Sequence, residues 1–127
     1  IGLTEVQTYS FYSTAVLTAI KSPKTDINDY LKIANPISSE TEYLREQLWP
    51  NLLEIVGKNI KKGYKDIGIF EIGKIHFRNG EGKPDERYTL AIALMDGSDN
   101  PMQELYGIFQ SLSVHLEGVN VNFLFPF

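Results

Sequence analysis

The chain has 127 residues, 43% of them apolar and 22% charged, with a formal net charge of −4. That size and composition suit one folded domain and argue against disordered or fibrous chains. The absence of cysteine excludes disulfides, zinc–thiolate sites and thiol catalysis, and the acidic balance gives no overall attraction to nucleic acid or to acidic membranes.

No apolar run approaches the roughly 20 residues of a membrane span, and a cytoplasmic origin fits. The chain starts at Ile1 and ends on the apolar stretch Phe123-Leu124-Phe125-Pro126-Phe127. Natural termini tend to be polar and frayed, so both ends read as cuts in a longer polypeptide, with residues 1–127 forming one domain.

Glu5 to Phe11 alternates and is rich in strand formers, so the pattern predicts a strand. Ser13 is placed to cap a short helix over 14–20 through its hydroxyl, and Pro23 ends that helix by biasing Ser22 away from helical dihedrals. Tyr30 to Ala34 reads as a second short strand, and Asn35-Pro36 as the turn that leaves it. Ser39 followed by Glu42 has the spacing of a capping box and predicts a short helical turn. Glu40, Glu42 and Glu46 then read as charges complementing a helix N-terminus.

Pro50 opens the strongest helix, since proline suits the first helical position. Leu52, Leu53, Val56 and Ile60 recur at helical spacing, lysines crowd the last turn, and Gly63 stands where the chain leaves. Ile67 to Phe77 alternates over a length suited to a central strand. Ile67, Ile69, Glu71, Gly73, Ile75 and Phe77 share one face. Asn79-Gly80-Glu81-Gly82-Lys83-Pro84 is a hairpin loop by composition, and Arg87 to Met95 is the returning strand. A loop at 96–101, a helix over 102–116 and a closing strand over 119–125 complete the pattern. The long hairpin argues for antiparallel pairing, so the predicted class is α+β, an antiparallel sheet flanked by helices.

No catalytic signature accompanies these elements. The glycines of Gly57 to Gly63 lack P-loop spacing and fall inside or at the end of a helix, and GxGxxG and GxSxG are absent. His76 and His115 have no second ligand at a telling spacing, so a structural reading outweighs a zinc site. Glu71 sits on a face otherwise made of Ile, Gly and Phe. A carboxylate buried there must be paired, and Arg45 and Arg87 are the candidate partners. Lys58, Lys61, Lys62 and Lys65, with Tyr64 between, form the one basic cluster. It could touch an RNA backbone, although a solvated last turn outweighs that reading in a net acidic chain.

Three stretches together resemble one family. Gly2 to Phe11 (GLTEVQTYSF) resembles the opening of the synthetase-like core of phenylalanyl-tRNA synthetase beta subunits. Asn35-Pro36-Ile37-Ser38, with Leu44-Arg45-Glu46-Gln47-Leu48-Trp49-Pro50-Asn51-Leu52-Leu53 and the following Asn59, resembles that family's next run. Phe70-Glu71-Ile72-Gly73-Lys74-Ile75-His76-Phe77 resembles its central strand. Order and spacing agree over most of residues 2–96.

The resemblance implies a truncated class II aminoacyl-tRNA synthetase-like core without chemistry of its own. In that family the beta core docks the alpha subunit of an α2β2 heterotetramer, and the whole enzyme joins phenylalanine to tRNA using ATP and magnesium. The resemblance therefore implies no catalytic, cofactor-binding or metal residues here. Asn35, Pro36, Arg45, Trp49, Pro50, Asn59, Phe70, Glu71 and Gly73 become the structural or interface candidates. Catalytic class II cores grip ATP with an arginine on the long hairpin. Alignment places Lys74 or Phe77 at that position and Arg78 one step off, which on a strand is the opposite face. Two alternatives stand beside this reading: an autonomous adenylate-forming enzyme, and an RNA-binding module using the Lys58–Lys65 cluster.

Overall fold

The computed structural model describes residues 2–20, 27–95, 97 and 100–116. Its elements are β1 (Thr4–Glu5), β2 (Phe11–Tyr12), α1 (Thr14–Ala19), a 3-10 turn (Ile27–Asp29), β3 (Tyr43–Leu44), α2 (Trp49–Lys61), β4 (Ile67–Arg78), β5 (Pro84–Met95) and α3 (Pro101–His115). The long hairpin β4–β5 dominates. It is antiparallel from Ile67↔Met95 to Arg78↔Pro84, and its turn is closed by Asn79, whose Oδ1 accepts from the N–H groups of Glu81 and Lys83 at 3.0 Å each. Gly82 supplies the turn's left-handed residue at φ 75°.

The sheet is mixed rather than purely antiparallel. β1 lies along the free edge of β4 in parallel register, Thr4 opposite Ile69 and Glu5 opposite Phe70. A parallel neighbour needs a crossover, and here the chain between β1 and β4 supplies one. The strand expected over 5–11 is therefore split. Its first part stays on β4 as far as Val6, whose N–H donates to the Phe70 carbonyl at 2.9 Å. Its last part, β2, pairs with β3 in a second, two-stranded sheet, with Phe11 opposite Leu44 and Tyr12 opposite Tyr43.

Two local expectations fail for related reasons. The strand expected over 30–34 shrinks to a bridge between Lys32 and Tyr43, because the chain bends at Ala34 and Asn35 before Pro36. The helical turn expected after Ser39 does not form. Instead the Thr41 hydroxyl accepts from the Ser38 N–H at 3.2 Å and the Ser38 hydroxyl accepts from the Glu40 N–H at 3.3 Å. Short polar side chains here compete for the backbone groups a helix would use. Glu40, Glu42 and Glu46 thus start no helix in their own segment; Glu42 instead reaches the first residue of α1, accepting from the Thr14 hydroxyl at 3.1 Å.

The helices follow the expected signals more closely. Ser13 caps α1, accepting from the Val16 N–H at 3.2 Å. α2 starts at Trp49 with Pro50 in its first turn, and ends where Gly63, at φ 91°, reverses the chain. The buried stripe of α2 is Pro50, Leu52 and Val56, continued upstream by Leu48. Leu53 and Ile60 lie on the exposed side. Asn100 caps α3 by accepting from the Gln103 N–H at 3.3 Å. The closing strand expected over 119–125 lies outside the described residues. No helix among the described residues is long and apolar enough to cross a membrane.

Two apolar clusters result. In one, Leu52 and Val56 of α2 pack on Ile67 and Ile69 of β4, over Ala91 and Ala93 of β5. The small alanines let the helix approach the sheet. In the other, Tyr12, Leu17, Tyr30 and Tyr43 gather around the two-stranded sheet. Tyr12 anchors it: its hydroxyl donates to the Gln47 carbonyl and accepts from the Gln47 N–H at 3.2 Å. Burial pushes this phenol well above its ordinary value, with the hydrogen bond to Gln47 opposing and the Tyr30 hydroxyl adding a little.

The folded chain therefore keeps Tyr12 protonated above the ordinary phenol value of 10.0, where the unfolded chain releases the proton. The resulting stability is complete below that value and declines as pH rises through the raised one. Thermal midpoints measured from about pH 9 to 11 should fall more steeply for the native chain than for Tyr12→Phe; parallel curves would refute the burial argument.

Candidate functional site

Between the two apolar clusters lies a polar node. Arg45, just after β3, is 2% exposed, and Glu71, on the inner face of β4, is 1% exposed. Their contact is direct, Arg45 Nη1 to Glu71 Oε1 at 2.8 Å. The same Nη1 donates to the Thr8 hydroxyl at 2.7 Å, and Nε donates to the Lys74 carbonyl at 3.0 Å. Thr8 completes the circuit. Its hydroxyl donates to Glu71 Oε2 at 2.7 Å and its N–H donates to Oε1 at 3.2 Å. Both carboxylate oxygens are thus satisfied, which is the condition for keeping such a charge away from water.

Backbone bonds hold the node in register. The Arg45 N–H donates to the Ser10 carbonyl at 3.0 Å, and the His76 N–H donates to the Arg45 carbonyl at 2.8 Å. Gly73 makes the space: a Cβ there would lie 2.4 Å from Arg45 Nη2, 3.1 Å from Glu71 Oε1 and 3.3 Å from Leu48 Cδ2. A guanidinium end can ordinarily swing aside, but this one is fixed by its acceptors.

Of the two arginines weighed as partners for Glu71, Arg45 holds it. Arg87 stands opposite Ile75 in the hairpin and stacks over the Phe77 ring, 4.9 Å from its centroid. Thr8 is a member of the site that sequence reasoning does not single out. Its place in a strand-like run gives no hint that the chain leaves the sheet there and turns its hydroxyl inward.

The other candidates are dispersed around this node. Pro50 is buried in the first turn of α2, and Trp49 is half-buried with its indole N–H donating to Gln47 Oε1. Asn59 donates to the Ile55 carbonyl at 2.9 Å within α2, and its own carbonyl accepts from the Lys62 and Tyr64 N–H groups. Asn35 and Pro36 lie in an exposed loop. Phe70 is half-buried on the outer face of β4, the side opposite Glu71.

That outer face carries Lys74, His76, Arg78 and Glu86, while Arg87 and Asp85, opposite Ile75 and Phe77, lie on the face of Glu71. Lys74 pairs with Glu86 and lies 5.5 Å from the centroid of the Tyr88 ring. The hydrogen bond between Lys74 and Glu86 raises the lysine and lowers the glutamate from their ordinary values. His76 Nε2 lies 3.5 Å from Glu86 Oε2. Arg78 shares the face of Lys74 and donates to the Gly82 carbonyl at 3.2 Å. His115, in α3, bonds the Ser111 carbonyl at 2.7 Å, with Nδ1 as donor. Among the described residues no three His, Asp or Glu side chains gather as a metal site.

Chemically, the node is a clasp. The guanidinium is spent on protein acceptors, the carboxylate on protein donors, and the Thr8 hydroxyl is held between the two. Arg45→Ala should lower stability by about 3–5 kcal/mol, because it leaves Glu71 buried and unpaired. Gly73→Ala should fall in the same direction, while Arg45→Met combined with Glu71→Met should cost less than Arg45→Ala alone, since no charge is stranded. Chemical denaturation of the three variants provides the measurement, and an unchanged midpoint for Arg45→Ala would contradict the clasp.

Comparison with known proteins agrees with this architecture. The chain matches the family described as phenylalanyl tRNA synthetase beta chain CLM domain over residues 1–119. It is 36% identical over 100 residues to the phenylalanine–tRNA ligase beta subunit of Rhodospirillum rubrum, covering 79% of this chain and 12% of that protein. The corresponding subunit of a Staphylococcus aureus strain is 37% identical over 105 residues, covering 81% of this chain and 13% of that protein. The chain therefore spans only a small part of the relatives it matches. A solved structure of Desulfitobacterium hafniense PylSc, a pyrrolysyl tRNA synthetase, shares the fold with a TM-score of 0.61 at 20% identity, over 88% of this chain and 37% of that one. The chain belongs to the phenylalanyl tRNA synthetase beta chain family.

Proposed function

We propose that this chain is a non-catalytic core element of a phenylalanine–tRNA ligase, and that it docks the alpha subunit instead of forming an adenylate. The observation that carries this reading is the state of the hairpin's cations. An adenylate site needs preorganised positive charge aimed at the phosphate. Here Lys74 is paired with Glu86, Lys83 with Glu81, Arg78 with the Gly82 carbonyl, and Arg87 with the Phe77 ring. Arg45 is committed to Glu71 behind the sheet.

On this reading the hairpin offers a triphosphate no unengaged cation, and we assign ATP and magnesium to the alpha subunit. The outer face of the hairpin suits a docking role better. Ile72 is 55% exposed and Tyr88 70% exposed, on the same side as Phe70, Leu90 and Ile92. An exposed apolar sheet face with an amphipathic aromatic is a usual protein-interface composition.

With phenylalanine, ATP and magnesium, the chain alone should catalyse no ATP–pyrophosphate exchange. A tagged chain co-expressed with the alpha subunit of its own synthetase should retain that subunit. Ile72→Asp with Tyr88→Asp should abolish retention while shifting the melting temperature little, since exposed substitutions usually stay within about 0.5 kcal/mol. Exchange by the isolated chain would overturn the reading, as would retention that ignores the double substitution.

A further inference from the structure

The end of α2 carries a feature that the subunit role leaves unused. Lys58, Lys61 and Lys62 fall on one side of the helix by their spacing, and Lys65 follows just past the exit. Lys58 is held by Glu54 at 2.7 Å. Lys61, Lys62 and Lys65 are exposed and make no ion pair among the described residues. Tyr64, 59% exposed, stands among them.

A helix C-terminus ordinarily repels anions through its free carbonyls. Two of those of α2 are covered: the Asn59 carbonyl accepts from the N–H groups of Lys62 and Tyr64, and the Ile60 carbonyl from Gly63, at 2.9–3.2 Å. Gly63, at φ 91°, then turns the chain back, placing Tyr64 and Lys65 beyond the last helical turn. The result is a small cationic surface with an aromatic ring in it, on a chain whose net charge is −4. Exposed lysines serve phosphates as point charges, and an exposed aromatic ring is a platform on which an unpaired base stacks.

We infer that Lys61, Lys62, Lys65 and Tyr64 form an RNA-contacting surface, the lysines on backbone phosphates and Tyr64 against an unstacked base. The choice of RNA among polyanions rests on the tRNA-ligase reading above. The surface itself rests on the geometry of α2. It lies at a helix end and not on the outer face of the hairpin proposed to dock the alpha subunit, so the two roles are tested separately.

The test is fluorescence anisotropy of a labelled tRNA transcript titrated with the full chain between about 50 and 200 mM salt, the range over which phosphate contacts weaken steeply. K61A/K62A keeps the helix, alanine being the best helix former. It should weaken binding at least ten-fold at the lower salt and reduce the log–log salt slope by about 2, roughly one for each phosphate no longer neutralised. Tyr64→Ala should weaken binding roughly five-fold or more with the slope unchanged.

K32A/K83A removes the same charge from lysines already engaged with Tyr43 and Glu81, and should leave both quantities near native. Equal weakening by K32A/K83A, no detectable tRNA binding by the native chain, or an unchanged slope in K61A/K62A would each overturn the inference. None of these outcomes bears on retention of the alpha subunit or on pyrophosphate exchange.

Discussion

A carboxylate buried on the inner face of β4 dictates much of this architecture. Glu71 cannot be buried there without partners for both oxygens, and the donors come from two distant parts of the chain, Thr8 and Arg45. Meeting that demand fixes where the segment after β1 leaves the sheet and where the segment after β3 crosses β4. It also fixes why residue 73 has no side chain. On one side of the clasp lies the cluster of α2 on the hairpin, on the other the tyrosine-rich cluster around β2 and β3. The polar node is what ties those two apolar bodies to one strand.

Elements with dense, redundant signals are legible in the sequence. α2 combines a proline start, a helical apolar spacing and a glycine exit. The hairpin combines long alternation with a turn whose Asn and Gly residues do what their chemistry suggests. The need of Glu71 for a partner follows from its neighbours on the strand, and Arg45 is among the candidates. What fails is decided by contacts between distant segments. Alternation over 5–11 does not show that one half pairs with β4 in parallel and the other with β3. The spacing of Ser39 and Glu42 does not show that the Thr41 hydroxyl bonds the Ser38 backbone instead. On α2, Leu53 and Ile60 fit the apolar pattern yet stay exposed, because the sheet covers a narrower stripe centred on Leu52 and Val56. Thr8 escapes notice for the same reason as the split strand, since its value emerges only when the chain turns inward beside β4.

The family relationship and the electrostatics of the hairpin bear on function in different ways. Membership in a synthetase beta chain family says where such a chain occurs. Within the hairpin, Lys74, Lys83, Arg78 and Arg87 each meet a group of the same chain. The free lysines sit instead at the end of α2, the one place among the described residues where positive charge is concentrated without matching carboxylates. The hairpin's cations are thus engaged, two of them by carboxylates, while three lysines at the helix end have no ion pair among the described residues, a division that total composition conceals.

The span of the clasp in sequence has a consequence for how the molecule comes together. Thr8 and Glu71 are separated by 63 positions, Thr8 and Arg45 by 37, and Arg45 and Glu71 by 26. No two of these can meet through local structure, whereas α2 and the hairpin form from neighbours. The loop-closure entropy of all three separations must be met before the ionic contact gives anything back. Contacts of such separation raise the contact order of the chain, and chains dominated by them fold more slowly than chains held by local contacts.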